Sequence, residues 1–493
     1  MSKRTCGNDG SRESTPRVDH HSTRSIHVSS EPDPKTGAVV PSLSVSTTFK
    51  QDGVGLHRGH EYSRTSNPTR SDLETLLTSL ETWSATQSPA GGETLVFASG
   101  SAATAALAHW VSLSSEEGGA GGEDGKTGGG GHILAVNDVY GGTARYLTRA
   151  AKSTGLEVTF LDMDQAGEEG IRQAIRPDTR VVWLEVPTNP LLIVPPLPLI
   201  ASIVYSLPVA TRPLILVDTT FLSSFYITPL VPVAPKDSPL ADIVLSSLSK
   251  YSSGHSDIIL GSLTLSPTLA TTSPHVLKGL RFLQNSLGAA ASPRDCHLLI
   301  RSLKTLSVRM VQHGLNALRI SDWLSNRDDV EEVRYPGLKG DAGFHRVEQL
   351  LSPNARKSLE FLGWNFPFSI KQDVVENASS LAYLRTVGIP FGGVFAFRLK
   401  GRSGEETDKF VSGLRLIALA ESLGGVESLV EVPAGMTHAV SLVERDIPDH
   451  YQGLPEATRE ALGITSNLIR FSVGIEDADD LIADLQAGLE SLR

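Results

Sequence analysis

The sequence predicts an α/β fold: a mostly parallel seven-stranded sheet covered by helices, followed by a smaller C-terminal α/β domain. Three observations lead there. Short apolar runs alternate with amphipathic, helix-like stretches across residues 95–260. The runs are apolar throughout rather than alternating, as in strands buried on both faces. From about residue 311 the pattern shifts to long helical stretches with fewer strands.

In chain order, residues 1–37 are polar, rich in Ser, Arg and His, and without periodicity, so a disordered leader is expected. Residues 38–80 read as an arm that reaches a neighbouring subunit and ends in a helix. Ser71 and Glu74 stand at capping-box spacing there, and Leu73, Leu76, Leu77 and Leu80 recur at helical spacing. The core domain is expected over 81–310. Its strands are read at 95–97, 133–136, 158–161, 181–186, 214–217, 243–245 and 258–260, with helix-like stretches at 102–113 and 144–153. The Gly- and Glu-rich stretch 114–131 reads as a surface insertion. Its Gly125-Lys126-Thr127 is not a P-loop, because Ala120 stands where that motif needs Gly and no strand precedes it. The second domain, 311–493, is read with helices at 308–324 and 477–492 and strands at 393–399, 414–420 and 468–473. Residues 351–387 have weak periodicity and read as another insertion.

Composition narrows the function. With 40% hydrophobic and 20% charged residues the 493-residue chain reads as soluble and multidomain. A net charge of −11 argues against nucleic acid as the main partner. No apolar run approaches the ~20 residues needed to span a bilayer. Only two cysteines are present, Cys6 and Cys296, and the N-terminus has no apolar secretory stretch. A reducing, cytoplasmic setting is therefore expected. His20-His21 and His57/His60 lack Cys or acidic partners at ligand spacing and read as solvated loop histidines, so no metal is expected.

The residues that carry chemistry fall at the carboxyl ends of the expected strands, where parallel sheets bind ligands. Lys250 ends an apolar run and is flanked by Ser247 and Ser249, then by a Gly254-His255 turn. That setting suits a lysine whose amine condenses with the aldehyde of pyridoxal phosphate while the hydroxyls hold the phosphate. Asp218 suits a protonated pyridine nitrogen, though it equally suits a cap on the turn through Thr219 and Thr220. Ser99-Gly100-Ser101 opens a helix after a strand, where backbone N–H groups favour an anion. Tyr140 could stack on a planar ring and move protons if nearby cations lower its pKa, or simply pack over its loop. Tyr62 and Arg64 lie in the arm, with Arg suited to phosphate. Arg470 sits inside an apolar strand and needs an anion: a substrate carboxylate, or an internal Asp or Glu.

Taken together, the segments Tyr62–Thr69, Ser99–Ser101, Asn137–Gly142, Glu185–Pro190, Val217–Phe221, Ser247–Tyr251, Gly254–Asp257, Glu421–Gly425 and Leu468–Gly474 resemble the pyridoxal-phosphate enzymes of cysteine and methionine metabolism. The likeness is nearest to fungal cystathionine γ-lyases and covers residue 38 to the C-terminus outside the insertions. It implies the aspartate-aminotransferase-like fold (fold type I) and a homotetramer of two tight dimers with shared sites. It also implies roles by position. Lys250 would hold the cofactor, with Ser247, Ser249, Gly100 and Ser101 on its phosphate and Tyr62 and Arg64 arriving from the partner chain. Asp218 would face the ring nitrogen and Tyr140 the ring. Asn189, Ser422 and Arg470 would bind the substrate carboxylate and Arg145 its distal part, while Glu421, also substrate-binding, resembles γ-lyases and γ-synthases rather than β-lyases. The implied activity is αγ-elimination of L-cystathionine. The alternatives are γ-replacement on an O-acylhomoserine, and a catalytically silent homologue acting as a regulatory subunit. Gly142, where methionine γ-lyases carry Cys, points away from that activity. The chain departs from the family pattern at Ser249 for Thr, Thr219 for Asn and Val186 for Ser or Thr.

Overall fold

The computed structural model describes residues 19–82, 91–117, 130–232, 238–369, 380–436 and 460–493. A seven-stranded sheet forms the larger layer, in the order β1-β7-β6-β5-β4-β2-β3. Its strands are β1 (Glu93–Phe97), β2 (His132–Val136), β3 (Glu157–Leu161), β4 (Thr179–Glu185), β5 (Leu214–Asp218), β6 (Ile243–Ser246) and β7 (Gly261–Leu265). Only β7 runs against the rest, pairing antiparallel with both β1 and β6. Strand centres are buried on both faces, as in β2 and β4, because helices cover each side. Each Val, Ile or Leu enclosed there contributes roughly 1.5–3 kcal/mol relative to exposure.

The second sheet has the order β10-β11-β12-β9-β8. It comprises β8 (Val330–Arg334), β9 (Val394–Leu399), β10 (Ala418–Leu419), β11 (Leu429–Glu431) and β12 (Leu468–Ser472). Apart from the β10–β11 pair it is antiparallel. The helix Leu306–Ser325 runs unbroken across the boundary expected near residue 311. Among the described residues no helix is long and apolar enough to cross a membrane.

Several sequence expectations are corrected. The leader is not disordered throughout 1–37. His21–His27 is a helix packed on the core, with His21 buried, bonded to Ser224 Oγ at 3.1 Å and edge-on to Phe225. Burial pulls the His21 pKa down to about 4, so it is not a solvated loop histidine. Residues 1–18 lie outside the described residues.

The first long helix begins at Pro68, not at Ser71. Asn67 caps it by accepting from Thr69 N and Arg70 N, and a proline at the first position presets φ. Glu74 is no capping partner: it accepts from Val96 N at 2.9 Å and pairs with Arg281 at 2.7 Å. The last strand of the large sheet lies at Gly261–Leu265, not 258–260. Thr264 there meets the Thr94 hydroxyl across the sheet at 3.0 Å, while Ile259 stays exposed. Of the strand expected at 414–420 only Ala418–Leu419 pairs. Most of the 114–131 insertion lies outside the described residues. The described part of 351–387 holds the helices Pro353–Phe361 and Leu381–Val387, with Leu359 and Trp364 buried.

Candidate active site

A cavity of about 590 Å³ opens beyond the carboxyl ends of β1, β2, β4, β5 and β6, against the second sheet. It is lined by Gly100, Ser101, Tyr140, Asn189, Asp218, Ser247, Ser249, Lys250, Glu421, Ser422 and Arg470. Eleven of the fourteen candidate residues therefore meet in one place. Three do not. Tyr62 is 47% exposed, Arg64 donates to Asn285 Oδ1 at 3.1 Å, and Arg145 is exposed at the end of the short helix Gly141–Arg145.

Lys250 follows β6, and its Nζ donates to Ser422 Oγ at 2.6 Å. Ser422 adopts φ 98°, a left-handed conformation that costs a non-glycine residue about 1–3 kcal/mol. The next residues, Leu423 and Gly424, pack on the lysine turn: a Cβ at Gly424 would lie 2.6 Å from Tyr251 N. That turn is held from behind by Arg309, which donates to Tyr251 O at 2.6 Å and also to Ser252 O and Ser302 O. Burial, and next the nearby Arg470, pulls the Lys250 pKa down to about 8, against the opposing pull of Glu431 and Glu421. About a quarter of the amine is then neutral at pH 7.5, against far less than 1% for a free lysine.

Asp218 ends β5. One carboxylate oxygen accepts from Thr220 N at 2.9 Å and Thr220 Oγ1 at 2.5 Å, and Thr220 Oγ1 in turn accepts from Ser247 N at 2.9 Å. The capping reading of Asp218 is seen at one oxygen, and the other oxygen stays open toward the cavity. Oδ1 caps the turn, and Oδ2 has no hydrogen bond among the described residues of this cavity wall. Burial raises the Asp218 pKa to about 6, with the Thr220 bonds opposing, so it is a carboxylate at neutral pH. An anionic oxygen left open in a buried wall fits a protonated ring nitrogen.

The phosphate end fits with one exception. Gly100 starts the helix Gly100–Glu117, and a Cβ there would lie 3.1 Å from Ser247 Cβ, so glycine lets the two walls close. Ser249 lines the cavity, but its hydroxyl already donates to Leu260 O and accepts from Leu260 N, so its proton is committed. Tyr140 precedes the helix Gly141–Arg145 and is 42% exposed. Its pKa is raised, not lowered as the expected proton shuttle required. Desolvation of the phenol, helped by Glu421, outweighs Arg145 and Arg470. Tyr140 is thus a proton donor at neutral pH. Gly142 makes room for its ring, because a Cβ at 142 would overlap the Tyr140 edge. Gly142→Ala is expected to displace that ring and lower kcat/KM by about 10-fold or more, a scale set by one overpacked contact at a site. A crystal structure of the variant with the ring unmoved would contradict this.

Arg470, in β12, is 2% exposed. It donates to Asn189 Oδ1 and Ser422 O, both at 2.9 Å, and lies 2.8 Å from Glu431 Oε2. The internal acid is present, so the plainer sequence reading is right. The Nε of Arg470 is buried without a hydrogen-bond partner among the described residues, and the side chain lines the cavity wall.

Sequence reasoning passed over two residues. Glu185 was visible as the acid ending an apolar run. Glu431 had no local signal, because its contact with Arg470 is made across β11 and β12.

A model of the family described as "Cys/Met metabolism PLP-dependent enzyme" matches residues 22–389 and 375–490. A cystathionine gamma-lyase of Bos taurus is 37% identical over 477 residues, covering 97% of this chain and 95% of that protein. The enzyme of that name from Bacillus subtilis is 36% identical over 471 residues, covering 95% and 99%. Among solved structures, cystathionine gamma-lyase from Lactobacillus plantarum, complexed with L-serine, is 32% identical with TM-score 0.72, covering 96% of this chain and 99% of that one. Cystathionine gamma synthase from Xanthomonas oryzae pv. oryzae, in complex with cystathionine, is 28% identical with TM-score 0.74, covering 96% and 98%.

Proposed function

The chain belongs to the Cys/Met metabolism PLP-dependent enzyme family, and from that premise we propose that it is a carbon–sulfur lyase. Its reaction is the αγ-elimination of L-cystathionine and water to L-cysteine, 2-oxobutanoate and ammonia. The observation that carries the chemistry is a partly neutral Lys250 amine, an open Asp218 oxygen and a protonated Tyr140 around one cavity. Near-full-length likeness to cystathionine gamma-lyases supports the choice of substrate.

Pyridoxal phosphate, when bound, supplies an aldehyde for the substrate amine and an electron sink for the charge left at Cα. Lys250 would hold it, Asp218 would face its ring nitrogen, and Gly100, Ser101 and Ser247 would surround its phosphate. Arg470, on the cavity wall with Asn189 and Ser422 beside it, receives the substrate carboxylate and points Cα at Lys250. Lys250, kept in place by Ser422, takes the Cα proton as its neutral amine, and a second proton leaves Cβ so that its electron pair can displace the thiol from Cγ. The Tyr140 phenol donates a proton to the departing sulfur. Glu421, exposed at the cavity rim, faces the distal amino acid of the substrate, with Arg145 further out.

The arm carries exposed Val39, Val40, Val45 and Leu56. An apolar surface of this kind supports a homotetramer in which Tyr62 and Arg64 of one chain complete the phosphate end of its neighbour's cavity. We read the enzyme as cytoplasmic.

Product analysis tests the reaction. Incubation with L-cystathionine should release 2-oxobutanoate and cysteine in equal amounts. Faster consumption of O-acetylhomoserine with cysteine, yielding cystathionine, would replace the lyase by a γ-replacement enzyme. No turnover of either would favour the silent homologue.

A further inference from the structure

We propose that Glu185 is a positioning residue whose carboxyl clamps the backbone of Tyr140 and so fixes the phenol over the cavity. Both of its oxygens accept from Tyr140 N, at 2.9 and 3.0 Å. Tyr140 stands just before the helix Gly141–Arg145, makes no side-chain cap, and has non-helical φ −45° and ψ 131°. Its own turn holds only its carbonyl, which accepts from Ala144 N at 3.0 Å, and Glu185 holds its N–H from outside that turn.

The place of Glu185 is a costly one for an acid. It ends β4, 4% exposed, in register with Asp218 on β5. Asp138, 2% exposed, lies beyond β2 on the other side, bonded to Leu191 N. Among the described residues no Lys or Arg forms an ion pair with Glu185, whose pKa is raised by burial first and by Asp218 next. A carboxyl lodged without a cation between two other buried acids is a liability to folding. A plain hydrogen-bond role could be met from a less crowded position. What this position alone provides is reach from the residue at Asp218's side to the backbone of Tyr140. One side chain then spans the two residues read above as facing the ring nitrogen and the ring. The assignment deepens the proposed function, but the clamp itself is a property of this chain and is measured without substrate or cofactor.

The test is amide hydrogen exchange in the cofactor-free full chain, read by mass spectrometry on peptides spanning residues 138–144. Glu185→Ala should speed exchange at the Tyr140 amide about 10-fold or more, the scale of one hydrogen bond to an acid group. Glu185→Gln keeps a carbonyl oxygen at the same reach and should stay within about threefold of the parent. Glu185→Asp withdraws the carboxyl by one methylene and should fall between them. In the loaded enzyme, visible circular dichroism of the bound cofactor should change in the Ala and Asp variants and be restored in Gln. Unchanged exchange in both Ala and Asp overturns the clamp, as does a Gln variant that exchanges as fast as Ala. Since these readouts involve no turnover, a failed lyase assay leaves the result standing, and the reverse also holds.

Discussion

Lys250→Ala is expected to lower 2-oxobutanoate release from L-cystathionine by about 10³- to 10⁴-fold or more, because one residue supplies both the nucleophilic amine and the base at Cα. Stability should change little or rise. The amine is largely buried and its pKa is depressed to about 8 from 10.5. The folded state therefore disfavours the charged form, and the lysine opposes folding most below pH 8, less as pH rises to 10.5, and not at all above it. The same shift predicts the reactivity. In the cofactor-free chain, acylation of Lys250 by a small amine-directed reagent should reach half its maximum rate near pH 8, while surface lysines do so near 10.5. A half-point near 10.5 for Lys250 would show that neither burial nor Arg470 acts on it. Near-normal turnover in the alanine variant would remove this residue from the mechanism.

Arg470→Leu should fail in two separable ways. Removing the guanidinium 2.8 Å from buried Glu431 should cost about 3–5 kcal/mol in urea unfolding, as for other buried pairs broken on one side. Turnover should also collapse, through a KM raised about 100-fold or more, since the guanidinium proposed to receive the substrate carboxylate goes with it. The combined Arg470→Leu/Glu431→Leu chain separates the two. An apolar pair should recover much of the stability, yet none of the activity. Recovery of both would mean that Arg470 serves only the fold.

The site was legible wherever its chemistry coincides with a strand end. Gly100, Tyr140, Asp218 and Lys250 each follow an apolar run, and parallel strands deliver their carboxyl ends to one crevice. Arg470 was legible as a buried cation, but its partner was not. Glu431 is 39 residues away in sequence and becomes its neighbour only through the β11–β12 register. For Ser249 local sequence shows a hydroxyl but not the Leu260 backbone that engages it. Whether cations would acidify Tyr140 could not be read from the sequence, because desolvation of its phenol outweighs Arg145 and Arg470. His21 was assigned to a solvated leader because seven residues carry too little periodicity to reveal a helix. Its stability comes from docking on Ser224 and Phe225.

By itself the sequence determined the α/β alternation, the family and the residues that bear chemistry, because hydrophobic period and residue type are local properties that folding does not alter. Tertiary structure alone decided which oxygen of Asp218 stays open, what pairs with Arg470, how far the Lys250 pKa falls and that Glu185 holds Tyr140. Each of those depends on burial and on contacts between segments far apart in the chain, and neither is encoded within the reach of any one stretch.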